Sequence, residues 1–351
     1  MAGIALLGAG IFARHEHLPA ILASPELLSL KAVYSRSQTS ATALADSLPS
    51  GGPKPDIYYD SPTEPGRGLA DLLKRDDIVA VDVALPIVSQ PEVIRQALKA
   101  GKHVLSEKPV AADVKGAREL IEWYNTQLGE NKPLWGVAEN FRYMESLVFA
   151  GEEVKRIGGR VVTFKLEKFG WVAEDNKYFN TQWRKVPDYQ GGFLLDGGVH
   201  FVAALRYLLG ASGQELSKLV AYTALLEERL QPLDTIHGVA STKQGVNGSV
   251  VISFGTEFKN GTDVEIVTTN GTVSWNPTEV KTVTKEGESK KEFEYSSGVA
   301  AEVAVFAQAI KAGTEKVDGL QTPEEALRDL EVLEGLLESG SGSAKGKEVA
   351  V

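Results

Sequence analysis

The chain contains no cysteine among its 351 residues. This absence excludes disulfides, thiolate metal ligands and a cysteine nucleophile. Basic residues are also scarce relative to acidic ones, with 37 Lys and Arg against 47 Asp and Glu, for a formal charge of −10. That balance predicts neither a nucleic-acid partner nor a polybasic membrane anchor. No apolar run approaches the ~18 residues expected of a membrane span.

The apolar start of the chain predicts a first strand. Residues 1–10 have no basic segment before them, which argues against a signal peptide. We therefore expect a cytoplasmic protein. At about 100–200 residues per domain, the length predicts two domains.

Residues 1–140 alternate short apolar runs with helical patterns. The run at 78–85 (IVAVDVAL) is nearly continuous and β-rich, as in parallel strands covered on both faces. This alternation predicts an α/β fold, with an N-terminal dinucleotide-binding Rossmann domain built on a doubly wound parallel sheet.

The pattern changes after residue 140. Residues 161–169 alternate apolar and polar side chains, and Asn270-Gly271 is a hairpin signal. We predict an α+β substrate and oligomerisation domain over 141–338, with a large, mostly antiparallel open sheet. Residues 339–351 are rich in Gly, Ser and Lys and predict a flexible tail.

A glycine-rich turn follows the first strand. Gly8, Gly10 and Ala13 form G-x-G-x-x-A, with Ile11 and Phe12 between them. In the dinucleotide fingerprint the first glycine permits a tight turn, the second admits the pyrophosphate, and the alanine keeps helix and strand close. These five residues are predicted to bind a nucleotide cofactor. The alternative is a tight turn in another α/β fold.

The end of the second strand bears on the choice of cofactor. An acidic residue about 20 positions after the glycines would select NAD. This chain has Ser35, Arg36 and Ser37 there, and no carboxylate from Leu27 through Ala45. A guanidinium and two hydroxyls suit a 2′-phosphate, so we predict NADP (NADPH). The alternative is that Arg36 merely opens a solvated helix.

Two further motifs are more specific. Residues 101–109 (GKHVLSEKP) and 196–200 (DGGVH) resemble the E-K-P and D-x-x-x-H motifs of the Gfo/Idh/MocA family of oxidoreductases. Their order and separation extend the resemblance over nearly the whole chain. The stretches 10–19, 136–143 and 176–184 look like a fungal NADP(H)-dependent branch of that family.

The resemblance implies three catalytic residues. Lys108, with Glu107 beside it at the cofactor, would hydrogen-bond the reacting oxygen. His200 would exchange the hydroxyl proton, since an imidazole titrates near neutral pH. Asp196, four residues earlier on the same face of a helix, would bind a neighbouring hydroxyl. The alternatives are an exposed strand-end lysine and a packing histidine.

Further contacts are also carried over from the resemblance, with packing or surface roles as alternatives. Expected cofactor contacts are Leu85, Pro86, Asn140, Trp183 and Arg184. Expected substrate contacts are Arg142, Tyr178 and Tyr189. The pair His15 and His17 superficially suggests a metal, but no third ligand is evident, so we predict no metal site.

The function predicted is an NADP(H)-dependent oxidoreductase acting on a small molecule: a sugar, a polyol or a related carbonyl. A non-catalytic NADP-binding sensor on the same scaffold is the alternative. The resemblance implies a homo-oligomer, a dimer or a tetramer. The substrate, the direction of hydride transfer and the formal acid/base, for which we favour His200 over Lys108, stay open.

Overall fold

The computed structural model describes residues 1–49, 52–187, 189–342 and 345–351. The chain forms two compact units. The first unit contains residues 1–139 and 299–326, and the second contains 140–298 and 327–351. The main difference from the predicted division is that 299–326, expected in the second domain over 141–338, belongs to the first unit.

The first unit is built on a parallel sheet. Its strand order is β3-β2-β1-β4-β5-β6, the doubly wound arrangement that binds dinucleotides at the reversal of strand order. This confirms the predicted Rossmann sheet. The strands are β1 (Ala2–Leu7), β2 (Leu28–Ser35), β3 (Asp56–Tyr59), β4 (Ala80–Val83), β5 (His103–Glu107) and β6 (Trp135–Ala138).

Helices are numbered along the whole chain. They are α1 (Leu18–Leu22), α2 (Gln38–Ala45), α3 (Leu69–Leu73), α4 (Gln90–Lys99), α5 (Val114–Gln127), α6 (Glu145–Ile157), α7 (Gln182–Lys185), α8 (Gly192–Ala211), α9 (Val299–Ala312) and α10 (Pro323–Ser341).

Helix α9 explains the difference in domain division. Val303 and Phe306 are fully buried in the core that also contains Ile4 and Leu105 of the parallel sheet. The helix packs mainly against α1. Its apolar residues are separated from that sheet by about 160 positions of chain, so hydrophobic periodicity gave no indication of the partner.

The second unit contains a mostly antiparallel sheet, as predicted. Its order is β14-β13-β12-β11-β7-β10-β9-β8-β15. Among the described strands, β7 and β10 pair in parallel and the other neighbours are antiparallel. The strands are β7 (Val161–Phe169), β8 (Leu216–Ala224), β9 (Thr235–Thr242), β10 (Asn247–Ser253), β11 (Gly261–Thr268), β12 (Gly271–Asn276), β13 (Glu279–Thr284), β14 (Gly287–Glu292) and β15 (Val349–Ala350).

Helix α8 is the central helix of this unit. Its 20 residues are long and apolar enough to pass for a membrane span, but 72% of its most apolar window is buried inside the structure. Such burial is typical of a core helix. Gly198 lies against Leu333 of α10 and Ile252 of β10, which places the D-x-x-x-H segment between a helix and the sheet.

The end of the chain differs from the predicted flexible tail. Helix α10 continues to Ser341, and Val349 and Ala350 pair with Leu219 and Lys218 at the edge of the sheet. Residues 343–344 of that predicted tail lie outside the described residues. A short strand that completes a sheet edge gives little signal in sequence, because its stability comes from backbone pairing.

Candidate active site

The glycine-rich turn has the geometry that a dinucleotide requires. Gly8 has φ +125°, and a Cβ there would lie 2.1 Å from the backbone oxygen of Ala84. Only glycine fits that position. Gly10 is exposed, and a Cβ there would meet no atom within 4 Å. The turn therefore presents open space beside the start of a helix, which fits a pyrophosphate.

The helix after the turn is not α-helical throughout. Ile11 and Phe12 form its first residues, and 13–17 form one π-helical stretch before α1. Ala13 is 1% exposed, as expected for the residue that brings helix and strand together. Single π-turns of this kind often occur at functional sites.

The end of β2 presents the residues expected to read the ribose. Arg36 is exposed, and Ser35 is half-buried. The hydroxyl of Ser37 accepts a hydrogen bond from the Ser40 backbone N–H at 3.2 Å and so caps α2. Sequence reasoning missed Asp60, which follows β3 and accepts a hydrogen bond from Tyr34 at 2.8 Å.

The E-K-P segment lies at the carboxyl end of β5, where open α/β sheets bind ligands. Glu107 is the last residue of that strand, Lys108 is 8% exposed, and the Lys108–Pro109 bond is cis. Leu85 and Pro86 follow the neighbouring strand β4 and are half-buried. The carboxyl ends of these two adjacent strands therefore lie side by side.

A buried charge cluster that the sequence did not predict lies behind Lys108. His17 is 0% exposed; its Nδ1 lies 2.8 Å from Oδ2 of Asp82 and its Nε2 2.9 Å from Oε1 of Glu107. Burial by itself lowers the pKa of His17, but the charges and hydrogen bonds of Asp82 and Glu107 outweigh burial and raise it well above its usual value. The imidazole is therefore an imidazolium that donates from both nitrogens.

Glu302 of α9 completes this cluster. It is 0% exposed, and neither of its carboxyl oxygens has a hydrogen-bond partner. Burial, followed by the charge of Glu107, raises the pKa of Glu302 well above its usual value. This shift favours the neutral acid form of Glu302. One signal was available in sequence: Asp82 interrupts an apolar strand, and a buried carboxylate requires a partner.

The second unit positions Asp196 and His200 on α8, which confirms that the D-x-x-x-H segment is helical. Asp196 is 5% exposed and accepts a hydrogen bond from Nε of Arg184 at 2.7 Å. His200 is half-buried and stacks on Phe141, with ring centroids 4.6 Å apart. Arg184 therefore forms an ion pair with Asp196, four residues before His200 on the same helix.

Aromatic side chains surround the Arg184–Asp196 pair. The guanidinium of Arg184 lies 3.9 Å from the ring centre of Trp183 and 6.0 Å from that of Tyr178. Trp183 and Tyr189 have ring centroids 6.0 Å apart. The structure therefore brings together five residues that the sequence assigned to catalysis, cofactor and substrate.

An open cleft of about 1030 Å³ begins beside this group in the second unit. Its volume is sufficient for a small ligand. Tyr189 and Phe179 contribute its apolar wall, and Lys185, Glu228 and Arg229 contribute charge. The cleft therefore combines an apolar surface with a few polar groups, as small-molecule sites do.

Two of the expected contacts have partners inside the second unit. Arg142, expected to reach the substrate, donates to Asp329, and both residues are 1% exposed; Arg206 donates to the other oxygen of Asp329. Asn140, expected at the cofactor, donates its amide to the Ser297 carbonyl at 2.5 Å. These contacts favour the packing alternative for Arg142, because its guanidinium neutralises a buried carboxylate.

Comparison with known proteins identifies the family of this chain. A family model for the NAD-binding Rossmann fold of Gfo/Idh/MocA oxidoreductases matches residues 2–128, and the model for the C-terminal alpha/beta domain matches 155–349. The chain belongs to the Gfo/Idh/MocA oxidoreductase family. Its first unit is accordingly an NAD(P)-binding Rossmann unit.

The dehydrogenase FPY6 of Fusarium mangiferae is 51% identical over 351 residues, which are 99% of this chain and 98% of that protein. A fungal relative was the expectation. KijD10, a 3-ketoreductase from Actinomadura kijaniata solved with NADP and TDP-benzene, superposes with a TM-score of 0.77 at 23% identity, covering 97% and 98% of the two chains. Levoglucosan dehydrogenase, solved with NADH and levoglucosan, gives 0.82 at 20% identity, covering 100% and 99%. The last two share the fold, and their cofactors differ.

Proposed function

We propose that the protein is an NADP(H)-dependent oxidoreductase that exchanges a hydride with a sugar, a polyol or a related carbonyl compound. The observation that carries the proposal is that one chain contains both a dinucleotide-binding turn and a group of candidate catalytic residues. A glycine turn built for a dinucleotide precedes Lys108 at the end of β5, and Asp196 and His200 share one helix in the second unit.

The bound nicotinamide would supply the hydride chemistry, and the protein would supply alignment and proton transfer. Lys108 donates a hydrogen bond to the reacting oxygen and stabilises the charge that develops there. In the oxidative direction His200 accepts the hydroxyl proton, and it returns the proton in reduction. Asp196, paired with Arg184, accepts a hydrogen bond from a neighbouring substrate hydroxyl.

The cofactor preference rests on Arg36. This side chain is exposed at the end of β2, where a ribose 2′-substituent binds in Rossmann domains. Its charge is available to a phosphate, and Ser35 lies beside it. Related structures contain NADP in one case and NADH in another, so the residues of this chain carry the argument.

Arg36→Ala is expected to raise the KM for NADPH about 10- to 100-fold and to leave the KM for NADH within about twofold. A charge-assisted hydrogen bond to a phosphate contributes about 1.5–3 kcal/mol, and NADH has no 2′-phosphate to lose. Steady-state kinetics with both cofactors measures the two changes. Arg118→Ala, at an exposed arginine of α5, is the matched control and should change neither KM. Equal effects of Arg36→Ala on both cofactors would contradict the preference.

The activity itself is tested by a screen. NADPH oxidation is followed with small carbonyls and keto-sugars, and NADP⁺ reduction with sugars and polyols. We expect turnover with at least one of these classes. Tight NADPH binding without turnover across the panel would instead favour the non-catalytic sensor.

We also propose that the protein is a homo-oligomer. One face of the antiparallel sheet exposes apolar side chains, with Tyr222 66% and Val239 57% exposed on adjacent strands. Exposed apolar residues grouped on a sheet face support association with a second copy.

A further inference from the structure

More of the ionisable side chains around His17 are acidic than basic. Oδ1 of Asp82 and both oxygens of Glu302 are buried without hydrogen-bond partners, and Glu139 also contributes to the field at Glu302. The imidazolium of His17 lies between the carboxylates of Asp82 and Glu107 and offsets part of their charge. Nothing in the proposed hydride transfer uses His17 directly, so its burial in this position needs another explanation.

The location of Glu107 supplies that explanation. Its backbone is fixed in β5 by pairing with Ala138 of β6, and its carboxylate is fixed by Nε2 of His17. The next residue in the chain is Lys108. A carboxylate released from His17 could move toward the neighbouring ammonium group, which would then be less available to a substrate oxygen.

Asp82 makes the arrangement rigid. It lies within β4, is 0% exposed, and holds Nδ1 of His17 at 2.8 Å. His17 thus connects the middle of the parallel sheet to the residue that precedes Lys108. A buried group with both donors engaged has little freedom to rotate, as positioning residues require.

We propose that His17 is a positioning residue for Lys108: its Nε2–H holds the Glu107 carboxylate away from the ammonium group, and its Nδ1–H anchors this contact to Asp82. This inference rests on the proposed function, because Lys108 acts on the substrate there. It gives His17 a role that neither the E-K-P nor the D-x-x-x-H motif assigns.

A pair of amide substitutions separates the two contacts. The amide nitrogen of asparagine lies near the Nδ1 position of histidine, and that of glutamine lies near the Nε2 position. His17→Asn therefore keeps a donor for Asp82 and loses the one for Glu107, whereas His17→Gln does the reverse. Each variant also loses the positive charge, so the two are matched controls for one another.

We expect His17→Asn to lower kcat about tenfold and His17→Gln to stay within about threefold of the wild type, since one hydrogen bond to a charged group is at stake. Both thermal midpoints should fall by similar amounts. Equal values of kcat in the two variants would assign His17 a purely structural role and overturn the proposal.

A second readout does not depend on turnover. Reductive ¹³C-methylation makes the Lys108 amine visible by NMR, with Lys108→Arg for assignment. The Lys108 titration should move in His17→Asn and stay in place in His17→Gln; the same shift in both, or none, would overturn the positioning role. A wild type that turns over no substrate would contradict the proposed function, and this titration would still decide the role of His17.

The wild-type protein, ¹³C-methylated at its lysines in the same way, covers the case in which His17→Asn does not fold. Imidazole ¹⁵N shifts report the step at which His17 loses its proton as the pH rises, and the Lys108 resonance is followed in the same samples. The groups around His17 that could also titrate are Asp82, Glu107, Glu139 and Glu302. We expect the Lys108 resonance to move with the midpoint of His17. A Lys108 resonance that does not respond to that step overturns the proposal.

Discussion

Lys108→Met is expected to lower kcat by about 10²- to 10⁴-fold. The ammonium group is the donor proposed for the reacting oxygen, and a positioned proton donor contributes a factor of that size. The thioether side chain preserves length and burial but cannot donate. Steady-state kcat on the substrate found in the screen measures the loss, and NADPH affinity should change little because Lys108 acts mainly on the substrate.

Lys102 provides a matched control for this substitution. It flanks the other end of β5, is also 8% exposed, and donates its Nζ to the backbone oxygen of Arg75 at 2.7 Å. Lys102→Met should therefore lower thermal stability and leave kcat within about threefold. If the two variants lose activity equally, the loss reflects damage to β5, and the catalytic role of Lys108 is contradicted.

Asp329→Asn is expected to destabilise the second unit by about 3–5 kcal/mol. Asp329 and Arg142 are each 1% exposed, and Arg206 binds the second oxygen of the same carboxylate. Removing the negative charge leaves two guanidinium groups facing a neutral amide, which is costly because the Arg142 side chain is 1% exposed and water cannot solvate its charge. For a unit of this size the thermal midpoint should fall by roughly 10 °C.

The control is an exposed ion pair. Lys54 and Asp46 approach to 3.5 Å, with side chains 78% and 61% exposed. Asp46→Asn should therefore cost at most about 1 kcal/mol, because water already solvates both charges. Calorimetry of both variants makes the comparison. A shift as small for Asp329→Asn as for Asp46→Asn would show that the buried triad contributes little to stability.

Much of the fold could be predicted from local pattern. The apolar runs at β1, β4 and β5 and the Asn270-Gly271 turn between β11 and β12 are all present. The strands β8 and β9 were missed, and so was the full extent of α8. The strands β8 and β9 mix polar and apolar side chains, and α8 is apolar nearly throughout. Neither the helical period of 3.6 residues nor the strand period of 2 therefore dominates in these segments.

Some residues of the candidate site could also be predicted from local sequence, and others could not. Gly8 could be predicted because a tight turn after a strand is a local requirement, and the structure gives it φ +125°. Arg142 was expected at the substrate, yet it pairs with Asp329, which is 187 residues away. His17 was considered only as a metal ligand. Its partners are 65 and 90 residues distant, and no spacing rule connects them.

The sequence by itself determined the alternation of strands and helices, the dinucleotide turn and the motifs that carry the chemistry, because each depends on neighbouring residues and on backbone conformation. Only the tertiary structure decided which charges are paired. It enclosed His17 between two carboxylates and returned α9 to the parallel sheet. The physical reason is that burial makes an unpaired charge expensive wherever it occurs, while the partner that satisfies it can come from any part of the chain that folding brings near.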